Sequence, residues 1–324
     1  MNHIEQAGYF LDQKYGFANP DKLALAQLFK AYQTPGSGQT QIDHQRLAAS
    51  YTLARGLSIA GVLKHLIEKH LNFFNNAQSI RDYGGGPGTF LWSLLDYTQP
   101  TQYTNIDLNE PLLQVFSQLR DHFDAKDYAF CRHQDYLKSQ IKTNVDLSVF
   151  SYTLCENPKA FTVLEQALLN SQQLLIVEPG TPAGFGTILR ARQILLDQKW
   201  QILAPCTTKA HCPMQPNADS ASDDWCHFAL RLNRTKLQMF LKDAQRGHED
   251  EKFAYLIASR EPQTNTAVQL QQQRIISKPK IEAHQISFKT CQNDLNLQVV
   301  RKRDNKTLFK QLKKAHRGDL FLKP

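Results

Sequence analysis

Asp82-Tyr83-Gly84-Gly85-Gly86-Pro87-Gly88-Thr89 is the stretch that decides how this 324-residue chain folds. It follows a short apolar run, Ser79–Tyr83, and precedes a helical pattern over Phe90–Tyr97. In that setting a glycine-rich loop is a ligand cradle. Glycines at 84, 86 and 88 let the backbone turn tightly and approach a ligand where a Cβ would collide. Asp107 closes the next apolar run, 21 residues beyond Gly86, where a carboxylate can accept both hydroxyls of a ribose. Dinucleotides and S-adenosylmethionine both use this geometry. The dinucleotide loop needs its third glycine three residues after the second, whereas the spacing here is D-x-G-x-G-x-G. That favours S-adenosylmethionine, with its methionine moiety in place of a pyrophosphate. Asp82, Gly84, Gly86, Gly88 and Asp107 are the candidate cofactor residues. Asp135, after the third expected strand, is a candidate for the adenine amino group. A tight turn holding no ligand is the plainer alternative.

Outward from the loop, short apolar runs alternate with helical segments. The runs are Ser79–Tyr83, Gln102–Ile106, Val145–Phe150 and Leu174–Val177; the helices are Phe90–Tyr97, Pro111–Phe123, Ala160–Leu169 and Thr187–Leu196. Such alternation predicts an α/β fold, a parallel sheet wrapped by helices, with Phe253–Ala258 as a further strand. Residues 1–75 read as helical, since Leu47, Ala48, Tyr51, Ala54, Leu57, Ile59, Val62, Leu63 and Leu66 recur mostly at steps of three and four. Pro35-Gly36-Ser37-Gly38 interrupts them as a loop. The core then runs over 76–260, a polar, glutamine-rich linker over 261–273 and a basic C-terminal region over 274–324, with strands at Gln285–Cys291 and Leu295–Arg301 and a helix near Leu308–Ala315.

Nowhere does the chain approach the roughly 20 consecutive apolar residues of a membrane helix. Its 41% hydrophobic content suffices for a core. The first thirty residues mix Glu5, Asp12 and Asp21 with Lys14, Lys22 and Lys30, unlike a signal or transit peptide, so a cytoplasmic protein is expected. The net charge of +8 is unevenly spread. Residues 274–324 hold thirteen Lys and Arg against four acids, a net +9, which leaves −1 on the other 273 residues. Such asymmetry points to a polyanion, RNA rather than DNA; a solubilising tail is the bland alternative. Lys280, Arg301, Lys302, Arg303, Lys310, Lys313, Lys314 and Arg317 are the candidate RNA contacts.

Three of six cysteines crowd into Pro205-Cys206-x5-Cys212-Pro213-x11-Trp225-Cys226-His227-Phe228. The residues between them are rich in Pro, Asn, Asp and Ser and build no core of their own; a bound metal would supply one. The expectation is a cysteine-rich metal-binding insertion over 203–235. Its spacing is not the paired C-x2-C of zinc ribbons, and soft thiolates suit zinc or an iron–sulfur cluster. His211, His227 or a distant Cys could be the fourth ligand. Methyl transfer needs in-line approach and a dry pocket, and no catalytic base stands out. Asn157-Pro158 lacks the second proline and the aromatic ring of amino-methylating loops, and Cys155 reads as a small buried residue rather than a nucleophile.

Together the glycine loop, Val177-Glu178-Pro179-Gly180-Thr181-Pro182, the Cys206/Cys212 pair, Trp225-Cys226-His227-Phe228, Glu251-Lys252-Phe253-Ala254-Tyr255, Arg274-Ile275, Pro279-Lys280, Cys291 and Gly318-Asp319 resemble the small-ribosomal-subunit methyltransferase-like family. That family has bacterial members and a mitochondrial ribosome assembly factor. The likeness spans roughly residues 40–320. It implies a Rossmann-like S-adenosylmethionine-dependent methyltransferase core, a [4Fe–4S] cluster on Cys206, Cys212, Cys226 and Cys291, and a small basic C-terminal β domain. It further implies binding to the small ribosomal subunit or its rRNA. Thr207-Thr208 and Arg317 depart from the family, where Pro-His and Trp are usual. Three functions stay open: an rRNA methyltransferase, a ribosome assembly factor that keeps the fold without chemistry, and a sensor in which cluster occupancy gates RNA binding.

Overall fold

Helix α1 (His3–Tyr15) starts where its sequence says it should. Asn2 caps the backbone N–H of Glu5 at 3.0 Å while the Glu5 carboxylate accepts the N–H of Asn2 at 3.2 Å, a reciprocal cap. Gly16, at φ +53°, ends it in the left-handed conformation. α2 (Asn19–Tyr32), α3 (Gln45–Tyr51), α4 (Leu57–Lys69) and α5 (Leu71–Asn75) follow, and a π-helical turn, Thr52–Gly56, joins α3 to α4. The computed structural model describes residues 1–32, 42–138, 142–157, 159–208, 210–215, 224–261 and 272–322. The Pro35–Gly38 loop, and the expected linker apart from 261, 272 and 273, lie outside the described residues. α4 buries Ile59, Ala60, Val62, Leu63, Leu66 and Ile67, the face that the three- and four-residue spacing marks out.

The main sheet contains β1 (Ser79–Tyr83), β2 (Gln102–Asp107), β3 (Ala129–His133), β4 (Val145–Ser151), β5 (Ser171–Pro179), β6 (Gln201–Ala204), β7 (Phe228–Asn233) and β8 (His248–Ser259). Their order is β3-β2-β1-β4-β5-β8-β6, with β7 paired to β8. β1 runs parallel to both β2 and β4, with Asp82 opposite Asn105 and Val149. The strand order therefore reverses at β1, and in doubly wound sheets ligands bind at the carboxyl ends of the strands beside such a reversal. β8 is antiparallel to β6. Intervening helices are α6 (Thr89–Leu94), α7 (Glu110–His122), α8 (Ala160–Leu169), α9 (Pro182–Asp197) and α10 (Lys236–Leu241). The expected strand Phe253–Ala258 lies inside the longer β8.

Two compact units divide the chain: residues 1–176 with 230–251, and residues 177–229 with 252–324. The second contains a five-stranded antiparallel sheet of β9 (Gln272–Ile275), β10 (Lys280–Ile281), β11 (Gln285–Cys291), β12 (Leu295–Arg301) and β13 (Leu320–Leu322). A helix over Lys306–Leu312, capped by Asn305, covers one face of it, and Ile275, Ile286, Phe288, Phe309, Leu312 and Phe321 form its core. This is the small β domain expected at the C-terminus. Among the described residues no helix is long and apolar enough to cross a membrane.

Candidate functional site

The glycine loop leaves β1 with three residues in the left-handed region: Gly84 at φ +68°, Gly86 at +52° and Gly88 at +78°. A side chain on Gly88 would also press into the Phe116 ring, and one on Gly85 into Asn105 and Asp82. The loop is fixed from several sides. Asn105 Nδ2 donates to the Gly86 carbonyl at 2.8 Å, Trp92 Nε1 to that of Pro87 at 2.6 Å, and Asp107 Oδ2 accepts the Gly86 N–H at 2.8 Å. Asp107 Oδ1 takes the N–H of Asn109 at 2.7 Å. The Tyr103 hydroxyl donates to Asp82 Oδ2 at 2.6 Å, leaving Asp82 Oδ1 buried without a partner among the described residues. Burial, aided by the nearby Asp107 charge and opposed by the Tyr103 hydrogen bond, pushes the Asp82 carboxyl up to about 7. Burial also raises that of Asp107.

Asp82, Gly84, Gly86 and Asp107 line one cavity. Gly88 stands behind it against Phe116. Asp135 is not part of the lining; it sits in the turn after β3, accepting the Leu137 N–H at 3.0 Å and facing the Lys138 ammonium at 3.2 Å. The lining also holds residues that the sequence did not mark as part of the site: Tyr51, Gly56 and Ile59 around the π-helical turn, Asn109, and Ser151, Tyr152 and Glu156 at and beyond the end of β4. π turns often accompany functional sites. Tyr152 stands at φ +58°, a conformation that costs a non-glycine residue about 1–3 kcal/mol, and Arg55 lies 5.0 Å from its ring while pairing with Glu251 at 2.8 Å. Asn109 had a legible signal as the N-cap of α7, accepting the Leu112 N–H at 2.9 Å. The π turn had none, because it breaks the helical period. An orphaned carboxylate oxygen and a backbone cradle beside it fit a ligand that brings a cation or donor.

A second cavity gathers Cys206, Cys212, Cys226 and Cys291. Pro205 and Cys206 follow β6, Cys212 and Cys226 lie in irregular chain, and Cys291 ends β11. Burial first, then the neighbouring thiols, raise Cys226, and the same causes push Cys291 up to about 12. His211 is exposed and His227 bonds the Trp225 carbonyl at 3.0 Å; neither lines the cavity. Among the described residues no three His, Cys, Asp or Glu side chains group closely enough to hold one metal ion. The metal-binding insertion expected over 203–235 is thus not present as a formed single-ion site among the described residues, although Cys206, Cys212 and Cys226 line one cavity with Cys291. Residues 216–223 of that stretch lie outside the described ones. The donor set, four thiols with no carboxylate in the lining, is one that suits a cluster.

Most of the candidate RNA contacts are exposed. Arg301, Lys302 and Arg303 line a shallow depression with Lys306, while Lys310, Lys313 and Lys314 lie on or just after the C-terminal helix. Lys280 faces Glu282 at 2.9 Å. Arg317 differs: it turns inward, donating to the Trp225 carbonyl at 2.6 Å and facing Asp224 at 3.3 Å.

Strand order, reversal point and glycine loop define a Rossmann-like α/β fold of the methyltransferase type. Similar solved structures include magnesium protoporphyrin IX methyltransferase from Synechocystis PCC 6803 with bound S-adenosylhomocysteine, at 12% identity over 74% of this chain and 100% of that chain, TM-score 0.40. Another is TrmK from M. capricolum with S-adenosylhomocysteine, at 10% identity over 62% of this chain and 67% of that chain, TM-score 0.38. These likenesses are distant, and the fold assignment rests on the sheet itself. No curated protein matches the chain in sequence. The family described as mitochondrial small ribosomal subunit Rsm22 matches residues 45–322, and the chain belongs to it.

Proposed function

We propose that this protein binds S-adenosylmethionine in the Gly84–Gly86 cavity and acts on the small ribosomal subunit, with rRNA as methyl acceptor. The observation that carries the reading is the cavity itself: a glycine cradle at the sheet's reversal point with Asp107 on one side and the orphaned Asp82 oxygen beneath it. S-adenosylmethionine supplies an electrophilic methyl group when bound. Asp107 would take the ribose hydroxyls, and Asp82 would face a cationic part of the ligand. Gly84 and Gly86 would let the backbone follow it, and the wall from Tyr51 to Ile59 would limit water. Asp135 is kept as a candidate only for the outer rim near the adenine. Membership of the Rsm22 family supports the ribosomal partner, and the exposed cations from Lys280 to Lys314 give an RNA-facing surface whose binding should weaken with salt. A cytoplasmic, bacterial setting is part of the proposal; the family description names mitochondria.

The same proposal places a [4Fe–4S] cluster on Cys206, Cys212, Cys226 and Cys291. A zinc ion draws its sulfurs to about 2.3 Å from one point, whereas a four-iron cube holds its thiolates apart around a larger body. Four cysteines lining one cavity supply the thiolates of the cluster, and zinc is the alternative metal. When bound, the cluster ties four separate backbone stretches together.

Immature small subunits incubated with methyl-labelled S-adenosylmethionine test the reading. Label is expected in rRNA. Tight cofactor binding with no label in RNA would overturn the enzymatic reading in favour of an assembly factor using the fold as scaffold. The single proline of Asn157-Pro158 and the missing aromatic ring after it favour that second reading.

A further inference from the structure

Two arginines share the thiol cavity. Arg192, in α9, is 4% exposed, and Arg274, in β9, is 8% exposed. Among the described residues their hydrogen bonds go to neutral carbonyls: Arg192 to Thr208 and Ala210 at 3.0 and 2.6 Å, Arg274 to Pro205 and Gly318 at 2.9 and 2.8 Å. The buried Arg192 Nε–H has no hydrogen-bond partner among the described residues. Among the described residues no carboxylate pairs with either guanidinium. A guanidinium cannot shed its charge as a buried lysine can, and an uncompensated buried charge costs several kcal/mol. Two such charges in one cavity call for an anionic occupant; its lining has no carboxylate, and beside the Thr207, Thr208 and Tyr255 hydroxyls it holds four thiols, the groups that bind metals as anions. Both arginines lie within electrostatic reach of Cys291, and Arg192 also of Cys212. Three of the four carbonyls, those of Pro205, Thr208 and Ala210, flank Cys206 and precede Cys212, so the same side chains fix the loop that carries those sulfurs.

We propose that Arg192 and Arg274 are the counter-charges of the four-thiolate centre and set how readily it accepts an electron, an assignment that rests on the iron–sulfur reading above. Four thiolates around an oxidised [4Fe–4S] core make a doubly negative body, which two guanidiniums balance. One added electron from an external reductant makes it triply negative, and that extra charge is left unbalanced. Removing either positive charge therefore penalises the reduced form more than the oxidised one. Net charge and hydrogen bonding around the sulfurs are what tune such potentials.

The test uses full-length protein purified without oxygen, with iron and sulfide counted and the midpoint potential read by electron paramagnetic resonance during dithionite titration. Arg192→Gln and Arg274→Gln should each load a cluster that is about tenfold harder to reduce, a shift of about 59 mV to more negative potential. Arg192→Lys and Arg274→Lys, which keep the charge, should stay close to the starting protein. A fully loaded glutamine variant with unchanged potential overturns the assignment, as does a lysine variant shifted by the full tenfold. Where a glutamine variant does not fold, the lysine variant decides by the same criterion. Unsubstituted protein without iron and sulfide overturns the cluster reading itself, which separates the two failures.

Discussion

Asp107 holds Gly86 in place: its Oδ2 accepts the glycine's backbone N–H at 2.8 Å, across 21 residues of chain. The same carboxylate takes the Asn109 N–H through its other oxygen. It therefore shapes the cradle, and the proposed ribose contact would use the same carboxylate. Asp107→Ala should lower S-adenosylmethionine affinity at least tenfold in calorimetric titration. It should also cost about 1–3 kcal/mol of stability from stranded donors. An affinity within twofold of the starting protein would remove Asp107 from the site.

Gly88 and Gly186 make a matched pair for substitution. Gly88 sits at φ +78° against Phe116, so Gly88→Ala combines backbone strain with overpacking, at about 1–3 kcal/mol each. Gly186 lies inside α9 with nothing near its missing Cβ. Gly186→Ala should stabilise by about 0.5–1 kcal/mol. Urea unfolding of the two variants should move in opposite directions.

The raised Asp82 carboxyl gives a pH signature. Its ordinary value is 3.8, and in the fold it is about 7. Between those values the unfolded carboxyl gives up its proton while the folded one retains it, so stability from this group is lost as pH climbs through that window and levels off above it. A cationic ligand favours the ionised form, so cofactor affinity should rise from pH 6 to pH 8. Asp82→Asn should flatten both dependences in melting curves and titrations.

Under the proposed ligand set, replacing Cys291 by Ser should abolish iron and sulfide loading, give a melting temperature below that of the loaded starting protein and leave S-adenosylmethionine binding intact. Cys131, in β3 with its sulfur 3.6 Å from the Ser117 hydroxyl, should tolerate Ser with full loading. Equal loss in both variants would take Cys291 out of the ligand set.

Salt dependence separates the cations. A triple Lys310, Lys313 and Lys314→Ala variant should bind small-subunit RNA with a log–log salt slope shallower by about 0.7–0.9 per phosphate contact removed. Arg317→Ala should leave that slope unchanged and instead disturb the chain before Cys226, because the guanidinium grips the Trp225 carbonyl. A slope reduced by Arg317→Ala alone would return it to the RNA face.

The strands that formed where expected have strong internal signals. β11 and β12 match Gln285–Cys291 and Leu295–Arg301 to the residue, because apolar side chains on one face of β11, Ile286 and Phe288, alternate with polar ones. β3 had no sharp limits in the sequence, since as an edge strand it buries little beyond Ala129. β10 and β13, of two and three residues, are too short for any period. The glycine loop was legible because three left-handed positions leave a compositional trace. The wall at Tyr51–Ile59 and Tyr152 was not, since a π turn and one strained tyrosine leave none. Arg317 looked like one more cation of a basic tail, and only its carbonyl partner shows where it points.

In the ladder between β9 and β11, Cys291 stands directly opposite Arg274. The cysteine and the arginine proposed to balance its charge thus occupy paired positions on neighbouring strands, so a change at that sulfur falls on the β9–β11 pairing itself. If these thiols carry iron, a cell starved of the metal would still make every residue of this protein yet leave that pair with an unanswered positive charge, and nutrient supply would become legible in how firmly the basic sheet is closed.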